Sequence, residues 1–358
     1  MKAFLQGLLK FSIIPILLGI LSVCSYYNAD PYFDFSSDNH YSWTYSFQNI
    51  GDLSTKKLLK SNQNYNSFIF GSSRVVDLYA CYLNSKFPNS SFFHYAGWSE
   101  PIAGIKNKLE IVDSLNYSIK NVIIYIDVDY SFKLGNFPNY SDHYLVVKKS
   151  KRRGRIIHYQ RFWQNISYDK IKILLGFKRV KGHPYRNSDP TTNDHDHLCK
   201  DFNVRSYSKI NRSDSIISRI DRLTETGFYY ERNKLQQYAK DQISKGEEVI
   251  LNEIKEIFDK HSTNFYIVIT PLYDQRKFSQ KDQVILKNIF GSRLYDFSGI
   301  NDITNDKYNF PDRKHFQPYI SKAIIDSILN KDSSIDFQSR FVPFENLEKI
   351  TKTEDKEN

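Results

Sequence analysis

Hydrophobic and polar positions along the chain form short apolar runs that alternate with longer segments of helical periodicity. Runs typical of buried strands lie at 67–70, 91–95, 121–126, 265–270 and 294–297. Segments with one apolar face predict helices at 74–87, 100–115, 230–259, 280–290 and 318–329. Because strands that alternate with helices of this length form parallel sheets, the pattern predicts an α/β fold with helices flanking the sheet.

The alternation stops near residue 131 and resumes near residue 230, which indicates a large insertion in the middle of one domain. Ahead of the domain, weak periodicity predicts a stalk followed by a short helix near 54–60. The predicted parts are a membrane segment at 1–29, the stalk and short helix at 30–61, the α/β domain at 62–130 and 230–335, a basic insertion at 131–229, and a charged tail at 336–358.

The N-terminus carries Lys2 and Lys10, followed by an uncharged stretch that runs from Phe11 to Ala29. A membrane-spanning helix needs roughly 17–25 mostly apolar residues, so this stretch is long enough to be a single-pass anchor. Positive charge before it and Asp30 after it favour a cytoplasmic N-terminus and an extracytoplasmic domain. The alternative is a cleaved signal peptide, because the strongly apolar part covers only 13–23. Both interpretations export the rest of the chain, to the periplasm or the cell surface.

Composition excludes a disordered chain, since 40% of the residues are apolar, but the charge is unusual. Fifty basic and 40 acidic residues give a net charge of +10, which suggests a polyanionic partner. The excess is local, because 148–181 contains twelve basic residues and one acidic residue. Export makes nucleic acid an unexpected partner, so anionic lipid headgroups near the anchor and an acidic glycan are the two candidates.

Cysteines and histidines give little further information. Of the three cysteines, Cys81 and Cys199 lie outside the apolar stretch, and the sequence does not decide whether they pair. His183, His195 and His197 lie near Cys199 and are the residue types of a metal site. Their spacing is not that of a familiar zinc motif, and no metal or cofactor is expected.

Two serines follow the first predicted strand, at the sheet edge where the active sites of parallel α/β folds lie. Ser72 and Ser73 stand directly behind the strand and Gly71, at the start of the next predicted helix. Backbone N–H groups at such a place suit a nucleophile whose attack creates an oxyanion. The alternative for a lone serine here is a helix cap, and the sequence does not decide which serine would react.

A candidate base and carboxylate lie just before the last predicted helix, where Asp312 and His315 form an Asp-x-x-His pair. Such a pair alone is common in surface loops. Together with a serine after the first strand and Gly97 after the second, each residue falls where a Ser-His-Asp site needs it. The sequence therefore predicts serine acyl chemistry.

The order and spacing of these motifs resemble the SGNH (GDSL-like) hydrolase superfamily, over roughly 62–130 and 262–330. The resemblance implies a flavodoxin-like parallel sheet, with Ser73 as the nucleophile, His315 as the general base and Asp312 as its orienting partner. It also implies an oxyanion hole built from the backbone N–H groups of Ser73 and Gly97.

One position departs from the family pattern. The third motif block normally supplies an asparagine that donates a hydrogen bond to the oxyanion, and Asp129 stands at the matching place. Because an ionised carboxylate repels an oxyanion, Asp129 must be neutral, turned away or employed otherwise. This substitution argues against an efficient free-standing esterase.

The anchor, the Gly-Ser-Ser form and Asp129 are similar to a branch that includes teichoic acid D-alanyl transfer and polysaccharide O-acetylation proteins. That resemblance implies a single-anchor protein that works with a multi-pass membrane acyltransferase of the MBOAT type. An acyl group on Ser73 would pass to a hydroxyl of a surface polysaccharide, most simply as an acetyl ester. Two alternatives stay open: a secreted carbohydrate esterase or deacetylase with the same three residues, and a non-catalytic adaptor that binds glycan.

Overall fold

A computed structural model of the chain describes residues 2–29, 64–75, 78–97, 99–132 and 214–330. Residues 54, 55, 58, 59, 156, 159, 160 and 162–164 are also described. Most of the predicted stalk, most of the basic insertion and the charged tail lie outside the described residues. The short helix expected near 54–60 has helical backbone at its four described positions, and its Leu58 is fully buried in the domain core.

The domain is built on a five-stranded parallel sheet, which confirms the predicted α/β class. Its strands are β1 (Ser67–Phe70), β2 (Phe92–His94), β3 (Asn121–Ile126), β5 (Asn264–Ile269) and β7 (Leu294–Asp296), and they lie in the order β2-β1-β3-β5-β7. Two short strands, β4 (Gln237–Tyr238) and β6 (Arg276–Lys277), pair separately. The strand order reverses between β1 and β3, so a crevice opens there at the carboxyl ends of the strands.

Helices cover both faces of the sheet. They are α2 (Ala80–Lys86), α3 (Ile102–Ser114), α4 (Asp214–Glu225), α5 (Lys245–Lys260), α6 (Gln280–Phe290), the short α7 (Asp302–Asn305) and α8 (Pro318–Leu329). Alternate residues of β3 enter two apolar clusters: Ile124 packs with α3, α5 and α6, whereas Ile123 packs with α2, α4 and α8. Burial on both faces explains why β3 has no polar alternation.

Two helices begin later than the hydrophobic pattern predicts. The helix expected from residue 74 is a 3₁₀ turn at Ser73–Val75, and α2 begins only at Ala80, because the Arg74 side chain is drawn into buried ion pairs. The helix expected from residue 230 begins at Lys245, where Ser244 and Glu247 form a capping box that fixes the first turn.

A helix inside the predicted insertion packs on the domain. This helix, α4, was not anticipated from the sequence, yet Ile220 on its inner face is fully buried among residues of α8. Its residues Asp221 and Thr224 also contact Lys307, which precedes α8 in the chain. The C-terminal end of the insertion is therefore part of the folded core.

The N-terminal helix α1 (Lys2–Ala29) is long and apolar enough between Lys10 and Tyr27 to be a membrane anchor or a signal sequence. Its large apolar side chains are mostly exposed, as expected for a surface that meets lipid rather than a protein core. Pro15 lies inside it without ending the helix.

A fully buried ion pair lies beneath the loop after β2. Glu100 and Lys108 contact each other with their side chains completely out of solvent, and Lys108 also donates to the carbonyl oxygen of Tyr95 at 2.9 Å. Burial raises the pKa of the Glu100 carboxyl, while the ammonium of Lys108 opposes that rise. Lys108 therefore ties the middle of α3 to the loop that follows β2.

The cysteines differ in state. Cys81, at the start of α2, is disulfide-bonded, whereas Cys24 in α1 is free and exposed. Cys199 lies outside the described residues. Because disulfides form and persist in oxidising compartments, the bond at Cys81 agrees with an exported domain.

Candidate active site

The first strand ends in a glycine that brings the two adjacent serines to the crevice. Gly71 adopts a φ of +154°, and a Cβ at this position would lie 3.1 Å from both the Cβ and the carbonyl oxygen of Tyr125 on β3. A larger residue would therefore push β1 and β3 apart. The chain turns at once into the 3₁₀ turn that begins with Ser73.

The structure brings together the three residues that the sequence analysis placed in a catalytic site. Ser73 Oγ lies 2.8 Å from His315 Nε2, and His315 Nδ1 lies 3.0 and 2.9 Å from the two carboxylate oxygens of Asp312. These hydrogen bonds have the connectivity of a nucleophile, a base and an orienting carboxylate. The histidine side chain is 38% exposed, so a substrate reaches the site from solvent.

Asp312 is held in its ionised form by its surroundings. Burial pushes the pKa of this carboxyl upward, but the hydrogen bond and charge of His315 and two backbone N–H donors outweigh burial and lower the pKa below its usual range. The two donors are the N–H groups of Lys314 and His315, at 2.7 and 2.9 Å from Asp312 Oδ1. Asp312 therefore fixes both the backbone and the ring of His315.

The two serines have different environments, which the sequence could not distinguish. Ser72 is 3% exposed, and its hydroxyl donates to Asp127 Oδ2 at 3.2 Å. Asp127 also accepts the backbone N–H groups of Asp129 and Tyr130, so it caps the turn after β3. Ser72 thus joins the ends of β1 and β3, whereas Ser73 is the serine that contacts the histidine.

Arg74, next to Ser73, is a residue of the site that the sequence analysis missed. Its side chain is 2% exposed and contacts three groups in two segments: Asp127 at 2.8 Å and Asp129 at 3.1 Å after β3, and the carbonyl oxygen of Lys314 at 2.5 Å. Burial lowers the pKa of the Arg74 guanidinium, but the charges and hydrogen bonds of Asp127 and Asp129 outweigh burial and raise the pKa above its ordinary value. From the sequence, an arginine at the start of a predicted helix is expected to be exposed to solvent. The one signal for its burial was the pair of aspartates after β3, which could serve as its partners.

Asp129 is employed in ion pairs, which is one of the three possibilities that its position in the sequence left. Its carboxylate contacts Arg74 at 3.1 Å and Arg276 at 2.7 Å, and Arg276 also pairs with Asp274 at 2.5 Å. Both carboxylate oxygens therefore accept from guanidinium groups. As an acceptor held in this way, Asp129 does not supply the oxyanion donor that an asparagine would.

The geometry contradicts the expected role of Gly97. Its backbone N–H donates to the carbonyl oxygen of Gly71 at 3.0 Å, extending the ladder between β1 and β2 beyond the strand ends. An N–H that is already paired with a backbone acceptor does not stabilise an oxyanion. Within the described part of the chain, the backbone N–H of Ser73 donates to no other residue, so it is the oxyanion donor that this structure offers.

Exposed cations held on aromatic rings form the rim of the site. The Arg313 guanidinium lies 4.9 Å from the ring centre of Phe228 and 5.6 Å from that of Tyr230. The Lys314 ammonium lies 5.8 Å from the ring centre of Tyr130. Both cations directly precede His315 in the chain, so aromatic and cationic groups lie close to the base in the sequence.

Other sequence expectations concern residues beyond the site. The histidines His183, His195 and His197 and most of the basic stretch 148–181 lie outside the described residues. Among the residues that the structure describes, no cluster of three or more His, Cys, Asp or Glu is arranged to hold a metal ion.

Comparison with known proteins does not assign the chain to a family. No protein-family model matches the sequence, and no curated protein is significantly similar to it. The interpretation of the site therefore depends on its own geometry.

Proposed function

We propose that the protein is an extracytoplasmic serine acyltransferase of the SGNH type, which transfers an acyl group through Ser73 to a hydroxyl of a surface polysaccharide. The observation that carries the proposal is the hydrogen-bonded chain from Ser73 through His315 to Asp312 at the carboxyl ends of the strands. The strand order β2-β1-β3-β5-β7 supports a flavodoxin-like sheet of the kind that the resemblance implies.

The first half-reaction forms an acyl-enzyme. His315 Nε2 accepts the proton of Ser73 Oγ, which attacks the carbonyl carbon of the donor and forms a tetrahedral oxyanion. The N–H of Ser73 stabilises that oxyanion, and the Asp312 carboxylate stabilises the imidazolium. When the carbon–leaving-group bond breaks, the imidazolium returns the proton to the leaving group, and the acyl group stays on Ser73.

The second half-reaction regenerates the serine. His315 removes the proton from the acceptor hydroxyl, which attacks the acyl-serine carbonyl, and the proton then returns to Ser73 Oγ as the ester bond to serine breaks. An acceptor hydroxyl placed against the exposed side of His315 gives transfer, whereas water gives hydrolysis. Because Asp129 accepts from two arginines, it does not supply the oxyanion donor that an asparagine would. The absence of one such donor lowers the rate by about 10²–10³.

The anchor supports the cellular setting. With a cytoplasmic N-terminus and α1 in the membrane, the domain would lie outside the cytoplasm, and a multi-pass MBOAT-type acyltransferase in the same membrane would deliver the acyl group. The disulfide-bonded state of Cys81 supports the same compartment. Neither a cofactor nor a metal enters the proposed mechanism.

The proposal is tested by trapping the acyl-enzyme. Full-length protein in detergent, incubated briefly with 4-nitrophenyl acetate and digested, is expected to carry an acetyl group on the peptide that contains Ser73. The matched controls are Ser73→Ala, which removes the label, and Ser72→Ala, which retains it. A label on another residue, or no label, would refute serine catalysis at this site.

A cellular experiment separates transfer from hydrolysis and from a binding role. Surface glycan from the native host is compared between wild-type and Ser73→Ala strains. Loss of a glycan ester in the variant supports transfer, and a gain of ester supports a deacetylase. An unchanged ester content in both Ser73→Ala and His315→Ala strains would instead support the non-catalytic adaptor.

A further inference from the structure

One end of the apolar helix α1 is covered by another part of the chain. Most large apolar side chains of α1 are more than half exposed, including Leu17 at 59% and Leu21 at 62%. Tyr26, near the C-terminal end, is only 4% exposed. Among the described residues, those that pack on Tyr26 belong to 156–164, which we call the interfacial segment.

The contacts between α1 and the interfacial segment are specific. Ser22 Oγ and Tyr159 Oη are hydrogen-bonded at 2.6 Å. The ring of Tyr26 meets the rings of Tyr159 and Phe162 edge to face, with centroids 5.4 and 5.5 Å apart. Trp163 packs against Phe162 in the same cluster.

These contacts fall at membrane depth. Ser22 and Tyr26 both lie within the apolar stretch from Lys10 to Tyr27 that is suited to cross a bilayer. Ser22 is five residues from the end of that stretch, or about 7.5 Å along the helix axis at the usual rise per residue. A segment bonded to Ser22 therefore lies at the boundary between headgroups and acyl chains.

The interfacial segment has the composition of an element that lies in such a boundary. Its described positions have helical backbone, with Ile156, Tyr159 and Trp163 spaced by three and four residues on one face. Ile156 is 54% exposed at one end of this apolar face, while Gln160 and Gln164, which directly follow Tyr159 and Trp163, are exposed. Tyrosine and tryptophan are the residues that favour the membrane interface.

The positive charge of the sequence around the interfacial segment indicates which lipids it would favour. Basic residues surround the segment in the sequence, at Lys151, Arg152, Arg153, Arg155 and Arg161, within the stretch of twelve basic residues and one acidic residue. Each lysine or arginine near an anionic membrane surface contributes about 1 kcal/mol to binding. An amphipathic segment with basic neighbours is typical of association with anionic lipids.

We propose that the interfacial segment lies in the leaflet at the C-terminal end of α1, with Tyr159 and Phe162 docked on the anchor, and that the basic residues near it in the sequence make this association selective for anionic phospholipid. The docking requires that α1 stays in the mature chain, because cleavage after α1 would remove the partner of Tyr159 and Phe162. This inference does not depend on the proposed catalytic function. It depends only on α1 lying in a membrane.

The depth of Trp163 tests the docking. Full-length protein carrying Trp43→Phe and Trp98→Phe, so that Trp163 is the sole tryptophan, is placed in nanodiscs whose lipids are brominated near the top of the acyl chains. We expect strong quenching of Trp163 by these lipids and weak quenching by aqueous acrylamide. The matched control adds Trp163→Phe and Val249→Trp, which moves the reporter to an exposed position of α5, and the opposite pattern is expected. Equal behaviour of the two reporters would overturn the proposal.

Lipid charge tests the headgroup contact. Phosphatidylglycerol added to phosphatidylcholine nanodiscs is expected to increase quenching of Trp163, and neutralisation by Arg152→Gln, Arg153→Gln and Arg155→Gln is expected to abolish that increase. The control neutralises three exposed lysines elsewhere, Lys234→Gln, Lys240→Gln and Lys245→Gln, and keeps the increase. No effect of lipid charge, or reversal of the effect by an acidic oligosaccharide, would refute lipid recognition.

The intact mass of the protein purified from membranes is a third and independent measure. Retention of α1 in the mature chain is expected, and a product that begins after residue 29 would overturn the proposal. Because none of these measurements uses Ser73, their outcome is separate from that of the acyl-enzyme experiment.

Discussion

Arg74 Nε donates to the carbonyl oxygen of Lys314 at 2.5 Å, which joins the residue after Ser73 to the residue before His315. The other end of the same guanidinium contacts Asp127 and Asp129 after β3. One buried side chain therefore ties together the three segments that form the site, and it sets the distance between Ser73 and His315. Arg74 is a positioning residue, since it acts on the reacting groups through their backbone.

Removal of Arg74 is expected to destabilise the fold. Arg74→Met leaves Asp127, which is 1% exposed, as a buried charge without its cation, and breaking a buried pair in this way costs about 3–5 kcal/mol. Denaturant unfolding of the two proteins measures the difference. The control is Arg276→Met, which also contacts Asp129 but is 40% exposed and is expected to cost about 1 kcal/mol or less. Similar costs for both variants would contradict the role of Arg74.

The two adjacent serines are expected to separate catalysis from stability. Ser73→Ala removes the proposed nucleophile and is expected to lower kcat for ester cleavage to the background rate. The loss is expected to be about 10³–10⁴, since the donor missing at Asp129 already takes about 10²–10³ from the roughly 10⁶ of a complete site. Ser72→Ala removes a buried hydrogen bond to Asp127, which costs about 1 kcal/mol of folding free energy, and leaves the reacting groups in place. Initial rates with 4-nitrophenyl acetate and urea unfolding of each variant test both parts. Loss of activity in Ser72→Ala alone would reverse the assignment.

The Asp312 carboxylate is expected to contribute through the tautomer and charge of His315. Asp312→Asn keeps the shape of the side chain but offers an amide to Nδ1, and this exchange lowers kcat by about 10⁴ in other serine hydrolases with this triad. Acylation of Ser73, monitored by mass spectrometry, measures the effect without requiring the natural acceptor. An active Asp312→Asn variant would show that His315 is oriented by another group.

Stability is expected to depend on pH through Asp312. Its pKa is lowered in the folded protein, so the unfolded chain binds the proton more tightly and the stabilising contribution is present above about pH 4, the ordinary pKa of aspartate. That contribution is lost as the pH falls through the lowered pKa of the folded state. The difference in urea midpoint between wild type and Asp312→Asn is expected to be constant from neutral pH down to about pH 4, and to shrink as the pH falls from there through the lowered pKa of the folded state. A difference that grows on acidification would contradict the lowered pKa.

The buried pair of Glu100 and Lys108 is expected to behave as a unit. Lys108→Met alone leaves the carboxyl of Glu100 buried without its cation and costs about 3–5 kcal/mol, whereas Lys108→Met with Glu100→Leu removes both charges and recovers most of that loss. Thermal unfolding of Lys108→Met, Glu100→Leu and the double variant gives the interaction free energy of the two side chains from a double-mutant cycle. Additive losses would show that the two charges do not interact.

Ser73, His315 and Asp312 were predictable from the sequence because each has a strong local signal and a place that topology fixes. Short apolar runs mark the strands, and the carboxyl ends of parallel strands meet at one edge of the sheet. The Asp-x-x-His spacing lets the carboxylate reach both the ring and the backbone of His315, as the structure shows. Local pattern and fold therefore agree at these three residues.

Arg74 and Gly97 were not predictable, because their roles depend on partners distant in the sequence. Whether an arginine is solvated or buried depends on carboxylates 53 or more residues away, and no periodicity reports that distance. Similarly, the N–H of Gly97 is taken by the carbonyl oxygen of Gly71, since the ladder between β1 and β2 continues beyond the last strand residue. The start of α5 had a local signal in the capping box at Ser244, which was outweighed by the apolar periodicity before it.

Ser73 and His315 are 242 residues apart in the sequence, so under the proposed mechanism the site is complete only late in the synthesis of the chain. A chain made from its N-terminus presents the serine long before it presents the histidine, and a serine without a base is an ordinary alcohol. The growing polypeptide is thereby protected from premature modification of its own hydroxyl. Reactivity arises only when the last helix joins the sheet, so a shortened chain that ends before His315 would be chemically silent rather than partly active.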